Sequence, residues 1–228
     1  MQSHIDAIDA HFVRQSILLD PAWLEGIKNN HPDESGGFEG LVKAIYRDFL
    51  RSNINDSLNG ACFPRNLHAL NNARLEGPFL LQIVSVQDIG LSRIQQLERL
   101  TEFESGEYED SKRIQRYAGD EGDEGEGHRE AMSLDAPVGK GMCKLVVEDA
   151  QGLSAYAVED QPVTGVRVGI ALGAKMRVRD VQVLRGMLFL TPASVELLGG
   201  QIDAWNVDRL KRLRQEIASG LPKEDGNG

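Results

Sequence analysis

The sequence holds two cysteines, no long apolar run, few aromatic residues and no surplus of positive charge. Each shortage excludes something. Cys62 and Cys143 cannot make a disulfide framework; both one bridge and two reduced thiols remain open, and reduced core thiols fit better in segments that read as buried. No apolar stretch reaches the roughly 20 residues of a membrane-spanning helix, and Met1–Ala10 is too polar for a secretory leader. A soluble, intracellular protein without membrane association is expected.

Catalytic signatures are missing as well. The sequence has no phosphate-cradling glycine loop with Lys-Ser or Lys-Thr, no Gly-x-Ser-x-Gly and no His-Glu-x-x-His. Its five histidines (His4, His11, His31, His68 and His128) are scattered. His4 and His11 are too far apart for a helical metal pair, and Asp120, Asp123 and Glu126 do not have the spacing of a calcium loop. Surface histidines and a solvated acidic segment are the better readings. The expectation is a non-catalytic protein with no metal and no cofactor.

The charge is uneven. Of the net −10, about −8 falls between Glu102 and Asp135, where twelve acids face four bases, and the rest is nearly neutral. Neither part presents the basic surface that phosphate-backbone binding requires. Gly119–Gly127 is a low-complexity run of glycine and acid, a composition that does not support a packed core.

Around that acidic stretch the periodicity is readable. Residues 1–52 read as a three-helix bundle. Ile5, Ile8 and Phe12 share one face; Asp20-Pro21 caps a helix that turns Trp23, Leu24 and Ile27 inward; Leu41, Val42, Ile45, Tyr46, Phe49 and Leu50 form the clearest stripe. Residues 53–78 read as an ordered connector. Then comes a strand-like run, Phe79–Val86, whose partner Met142–Glu148 follows only after an insertion of about 91–141. A loop of that length inside a small sheet is unusual unless it has its own task. Three further strands are expected at Leu153–Glu159, Lys175–Leu184 and Met187–Thr191, the first forming a hairpin with its predecessor. A helix from about 203 to 220 closes the chain, striped by Val207, Leu210, Leu213 and Ile217.

The expected fold is therefore α+β: an N-terminal three-helix bundle packed on a five-stranded OB-fold β-barrel over 79–202, with a long insertion between the first two strands and a C-terminal helix. An OB-fold raises the question of single-stranded nucleic acid, which such barrels grip with aromatics above a basic groove. Here Tyr156 is the only clear aromatic on the central strands, with Phe189 assigned to the core. Lys175, Arg177 and Arg179 alternate with Met176 and Val178, so they either touch phosphate or form an ordinary solvated strand face. Weak DNA contact fits this pattern; sequence-specific recognition does not.

The order of parts and several short motifs resemble the N-terminal region of the RecQ-mediated genome instability protein 1 family. The matching strings are Asp20-Pro21-Ala22-Trp23-Leu24, Phe79-Leu80-Leu81-Gln82-Ile83, Ile94-Gln95-Gln96-Leu97, Leu145-Val146-Val147-Glu148-Asp149 and Leu172-Gly173-Ala174-Lys175. The exit of the barrel, Leu188–Val195 followed by Leu197-Leu198-Gly199-Gly200-Gln201-Ile202-Asp203, is the most specific. The resemblance implies a nuclear, non-catalytic subunit that binds topoisomerase III and, with it, a RecQ-family helicase, and that promotes double Holliday junction dissolution and decatenation. It implies that the insertion is a decatenation loop acting at the topoisomerase gate; within it Phe103, Tyr108, Ile114, Tyr117, Met132 and Leu134 are too many apolar groups for a plain solvating tether and are the candidate contact residues. Leu97 and Leu100 are expected to pack on the barrel. It also places partner binding on the barrel surface at Lys175 and, on the same strand, Arg177. An independent OB-fold single-stranded DNA-binding protein is the alternative.

Overall fold

The computed structural model describes residues 2–31, 37–60, 62–105 and 142–219. The first helices lie where the periodicity puts them: α1 (Gln2–Arg14), α2 (Pro21–Asn30) and α3 (Gly37–Arg51). Asp20 caps α2, its carboxylate accepting the Trp23 amide at 2.9 Å, and Pro21 stands at the first helical position where its missing N–H is not needed. Ile8, Phe12, Leu24, Ile45 and Phe49 share one buried core with Ile54, Leu58 and Leu80. The last two segments come from outside the helices expected to form a bundle. The connector is more structured than its sequence suggests. It holds a one-turn helix α4 (Ile54–Ser57), a 3₁₀ turn at Leu67–Ala69 and a strand, β1 (Asn72–Leu75).

The sheet has eight strands among the described residues, not five. After β1 come β2 (Phe79–Asp88), β3 (Cys143–Glu148), β4 (Ser154–Glu159), β5 (Lys175–Val178), β6 (Val181–Leu184), β7 (Met187–Leu190) and β8 (Val195–Gly199). Their order is β1-β6-β7-β4-β3-β2-β5-β8. The run expected as one strand, Lys175–Leu184, is two. It bends at Arg179-Asp180, where Asp180 takes a left-handed φ of 48°. Its halves serve opposite ends of the order: β5 pairs antiparallel with β2, and β6 with β7. Two residues join β5 to β6, so the sheet must curl strongly to bring these two distant places in the order together. The parallel pairing of β4 with β7 completes an OB-type path.

β2 explains why its sequence is apolar without clean alternation. Phe79, Leu81 and Ile83 point into the barrel core with Leu145, Val147, Ala157, Met176, Val183 and Leu188, while Leu80 points into the helical core. A strand buried on both faces reads as a continuous apolar run. The next position after Leu80 on that face is Gln82, fully buried. Its Oε1 accepts the Ile54 amide at 3.0 Å, and its Nε2 donates to Asn53 Oδ1 and Glu148 Oε2 at 2.8 and 3.1 Å.

β2 and β3 are neighbours in the sheet although 54 residues separate them. The insertion therefore falls between the second and third strands of the chain. Its first part is helix α5 (Arg93–Ser105). The C-terminal helix differs from expectation: α6 (Asp203–Asn206) stops at Val207, and α7 (Arg209–Ser219) begins after Asp208, whose φ is 53°. Val207 is exposed, outside the stripe assigned to it.

The chain forms two compact units, residues 1–87 with 142–207, and residues 88–141 with 208–228. In the second, α5 packs on α7 and Arg214 donates to Thr101 Oγ1 at 2.9 Å. Leu100 and Ile217 are buried and Leu97 half-buried. No described helix is long and apolar enough to cross a membrane.

Candidate functional site

Lys175, Arg177 and Arg179 do not form a solvated basic stripe; only Arg179 is exposed. Pairing of β5 with β8 slips between Lys175 and Met176, with Lys175 opposite Gly199 and Met176 opposite Leu197. Lys175 stands opposite Gln82 of β2, on the face covered by the end of α3, while Met176 fills the barrel core, and Lys175 has no exposed surface. Its Nζ donates to the carbonyls of Ser52 and Gly173, each at 2.6 Å, with Leu50 O at 3.5 Å. Burial lowers its pKa from 10.5 to about 8, which keeps the ammonium predominant at neutral pH. The expected wet lysine is thus a buried tie between the barrel and the end of α3.

Arg177 is occupied in a similar way. Nη1 donates to Glu196 Oε2 at 2.5 Å on β8, and Nη2 donates to the Gln15 carbonyl at 2.6 Å just past α1. Its side chain is 15% exposed. Tyr46 lies nearby, and its burial raises its pKa. The other expected contact residues, Tyr108, Ile114, Tyr117, Met132 and Leu134, lie outside the described residues, as does the side chain of Phe103.

A different surface emerges on the outer face of the sheet. Cys143, Leu145 and Val147 point inward from β3, as do Ala155 and Ala157 from β4 and Leu188 and Leu190 from β7. Their neighbours must point outward. Phe189 is therefore not a core residue: it is half-buried and on the outer face, a correction that follows from the burial of Leu188 and Leu190 on either side. The pairing registers then set out two rows across five strands, β3-β4-β7-β6-β1. One reads Val146, Tyr156, Met187, Leu184, Asn72; the other reads Lys144, Val158, Phe189, Gln182, Arg74. Tyr156 is 51% exposed, with the Lys144 ammonium 4.8 Å from its ring centroid. At the edge, the Arg185-Gly186 turn joins β6 to β7, and Gly186 (φ 75°) sits where a Cβ would lie 2.8 Å from His68 Cα. The alternation was visible in the sequence; the registers that align five strands' outward residues were not.

A cleft of about 280 Å³ lies between the end of α1 and the start of β2. Val13, Ser16, Leu18, Leu58, Pro78, Leu80 and Ala150 line it, with Gly60 and Gly77. It offers no ionisable side chain, so it can hold an apolar group but supplies no acid or base. Among the described residues no three His, Cys, Asp or Glu side chains converge as a metal site.

The barrel's buried carboxylates are structural. Asp149 accepts the amides of Gln151 and Leu153 on one oxygen and that of Phe63 on the other, all at 2.8–2.9 Å. Glu159 accepts the amides of Cys143 and Val163, both at 2.8 Å. Each oxygen is engaged by backbone.

Comparison with known proteins bears on the whole chain. Residues 63–213 match the family model described as "RMI1, N-terminal OB-fold domain". The sequence is 36% identical over 217 residues to RecQ-mediated genome instability protein 1 of Schizosaccharomyces pombe, covering 91% of this chain and 92% of that one. Proteins of the same name from Oryza sativa and Arabidopsis thaliana are 25% and 26% identical over 91% and 90% of this chain. The chain spans only 20% and 27% of those two longer proteins.

Proposed function

This chain belongs to the RecQ-mediated genome instability protein 1 family, and from that premise we propose that it is a non-catalytic, nuclear subunit acting with a RecQ-family helicase in genome maintenance. Its direct partner is topoisomerase III, and its task is to promote decatenation and double Holliday junction dissolution by acting on the topoisomerase gate. The observation that carries this reading is the interrupted sheet: β2 and β3 are hydrogen-bond neighbours, yet 54 residues with a net charge of −6 leave and re-enter between them. A barrel gains nothing in its own packing from so long a departure, whereas a partner-directed element rooted in a rigid sheet has a clear use. The acids suit association with a basic, DNA-handling enzyme, where charge complementarity raises the rate of encounter.

Titrating purified topoisomerase III into the full chain tests the partner. Deleting residues 108–136 tests the insertion: binding should persist while stimulation of dissolution falls. Loss of both would make the insertion the main anchor; no loss of either would remove it from the mechanism. An independent single-strand binder is the second reading, favoured by exposed Tyr156 beside Lys144. It requires salt-sensitive oligonucleotide binding by the isolated chain.

A further inference from the structure

Two residues expected at the partner interface, Lys175 and Arg177, hold hydrogen bonds within the molecule, and another face of the barrel is more open to a partner. The outer face of β3-β4-β7-β6-β1 has the composition for it. Its centre is apolar: Val146, Tyr156, Val158, Leu184, Met187 and Phe189 are contiguous through the pairing registers and belong to neither buried core. Aromatic residues and Met at the centre with charge confined to the rim is the usual anatomy of a protein interface.

The rim says what would sit there. Lys144 stands at one end of the second row and Arg74 at the other, four strand spacings apart, which is about 19 Å along the curled sheet. Arg185 adds a third cation at the turn edge and is exposed. Arg74 has only a long, well-solvated contact with Asp180, at 3.8 Å, so it is open to a better partner.

We propose that this face receives a protein segment with an apolar centre and a carboxylate at each end, the carboxylates meeting Lys144 and Arg74. An extended segment of about six residues spans the distance at about 3.3 Å per residue. The proposal rests on the reading of the chain as a partner-binding subunit, and it names the surface and the chemistry of what docks. A nucleic-acid strand fits less well: it carries a phosphate at every nucleotide and needs cations along its whole track, whereas the middle of this row is Val158 and Phe189. A second copy of the chain fits less well too. Face-to-face stacking about a two-fold axis would bring Lys144 against the other copy's Arg74.

The test uses the full chain with purified topoisomerase III and compares wild type with Phe189→Thr, Tyr156→Thr and the rim pair Lys144→Glu with Arg74→Glu. The first two replace outward residues by a strand-compatible polar one, and the rim pair reverses the charge of exposed Arg74 and half-buried Lys144. Thermal midpoints report that each variant folds. Phe189→Thr should weaken binding about thirtyfold, the scale of a central anchor lost. The rim pair should slow association several-fold and flatten its dependence on salt. Wild-type binding with all three variants unchanged overturns the docking face and leaves the partner reading standing. No binding by wild type overturns both. Oligothymidylate binding weakened by the same variants reassigns the face to nucleic acid. A wild-type dimer in sedimentation that Phe189→Thr dissociates reassigns it to a second copy.

Discussion

Replacing Lys175 by Met removes an ammonium while keeping a linear stem of similar length. Two effects then oppose each other. The carbonyls of Ser52 and Gly173 lose their 2.6 Å donor, costing about 1–3 kcal/mol each. Leu50 O keeps the Gln201 amide at 3.0 Å and suffers less. Against this, the variant no longer buries a charge, a relief of about 3 kcal/mol for a pKa lowered from 10.5 to about 8. At pH 7 the variant is thus moderately less stable or close to wild type. The pH dependence is the sharper test. The folded protein releases the Lys175 proton near pH 8 and the unfolded chain only near 10.5, so between those values the unfolded state binds more protons and wild-type stability rises with pH. The neutral amine still has two hydrogens for its two short acceptors. Wild type should therefore gain about 2 kcal/mol over the Met variant between pH 7 and pH 9.5. Urea titrations of both proteins at several pH values measure this, and other titrating groups cancel in the difference. A flat difference would show that the ammonium is solvated and the described burial wrong. Lys175→Glu sets a carboxylate among carbonyl oxygens and should prevent stable folding, which makes it unsuitable as a probe of partner binding.

Gly200→Ala should cost well over 2 kcal/mol, because its Cβ would lie 2.2 Å from the Leu50 carbonyl at a φ of 88°. Gly199→Ala, at φ 80° with open space around it, should cost only about 1–2 kcal/mol, so the two denaturation midpoints should separate. Gln82→Leu leaves the Ile54 amide without its acceptor and should lower stability by about 1–3 kcal/mol in urea titration. Asp149→Ala strips three backbone amides of their acceptor and should cost more than any of these; Asp149→Asn, which keeps an acceptor for Gln151 and Leu153, should recover part of the loss in the same assay.

How much of this the sequence carried depended on whether the information was local. Helices α1 to α3 were legible from 3.6-residue periodicity and the Asp20-Pro21 cap, and β2, β3, β4 and β7 from apolar runs bounded by turns. β1 and β8 were missed because each is short and becomes a strand only by pairing, with β6 and β5 respectively. The alternation around Lys175 was real, and Lys175 does face away from the barrel interior; that face is covered by the end of α3, more than a hundred residues earlier in the chain, and no local pattern encodes that. Phe189 failed for the complementary reason, since aromatic character suggested core while its neighbours Leu188 and Leu190 had already taken the inside. The strings that resemble the family turn out to be rich in fold-holding groups. Asp20, Gln82, Asp149, Lys175 and Gly200 each satisfy or accommodate backbone at a junction between elements.

The gap between β2 and β3 has a consequence for chain entropy. Closing a loop of 54 residues rather than a hairpin of four costs only about 2 kcal/mol, because the penalty grows with the logarithm of length. Doubling the insertion again would cost about 0.6 kcal/mol more. The barrel's stability is thus almost indifferent to how long that segment is. Its length and sequence can drift with whatever the segment must reach, while the registers on either side of it hold still.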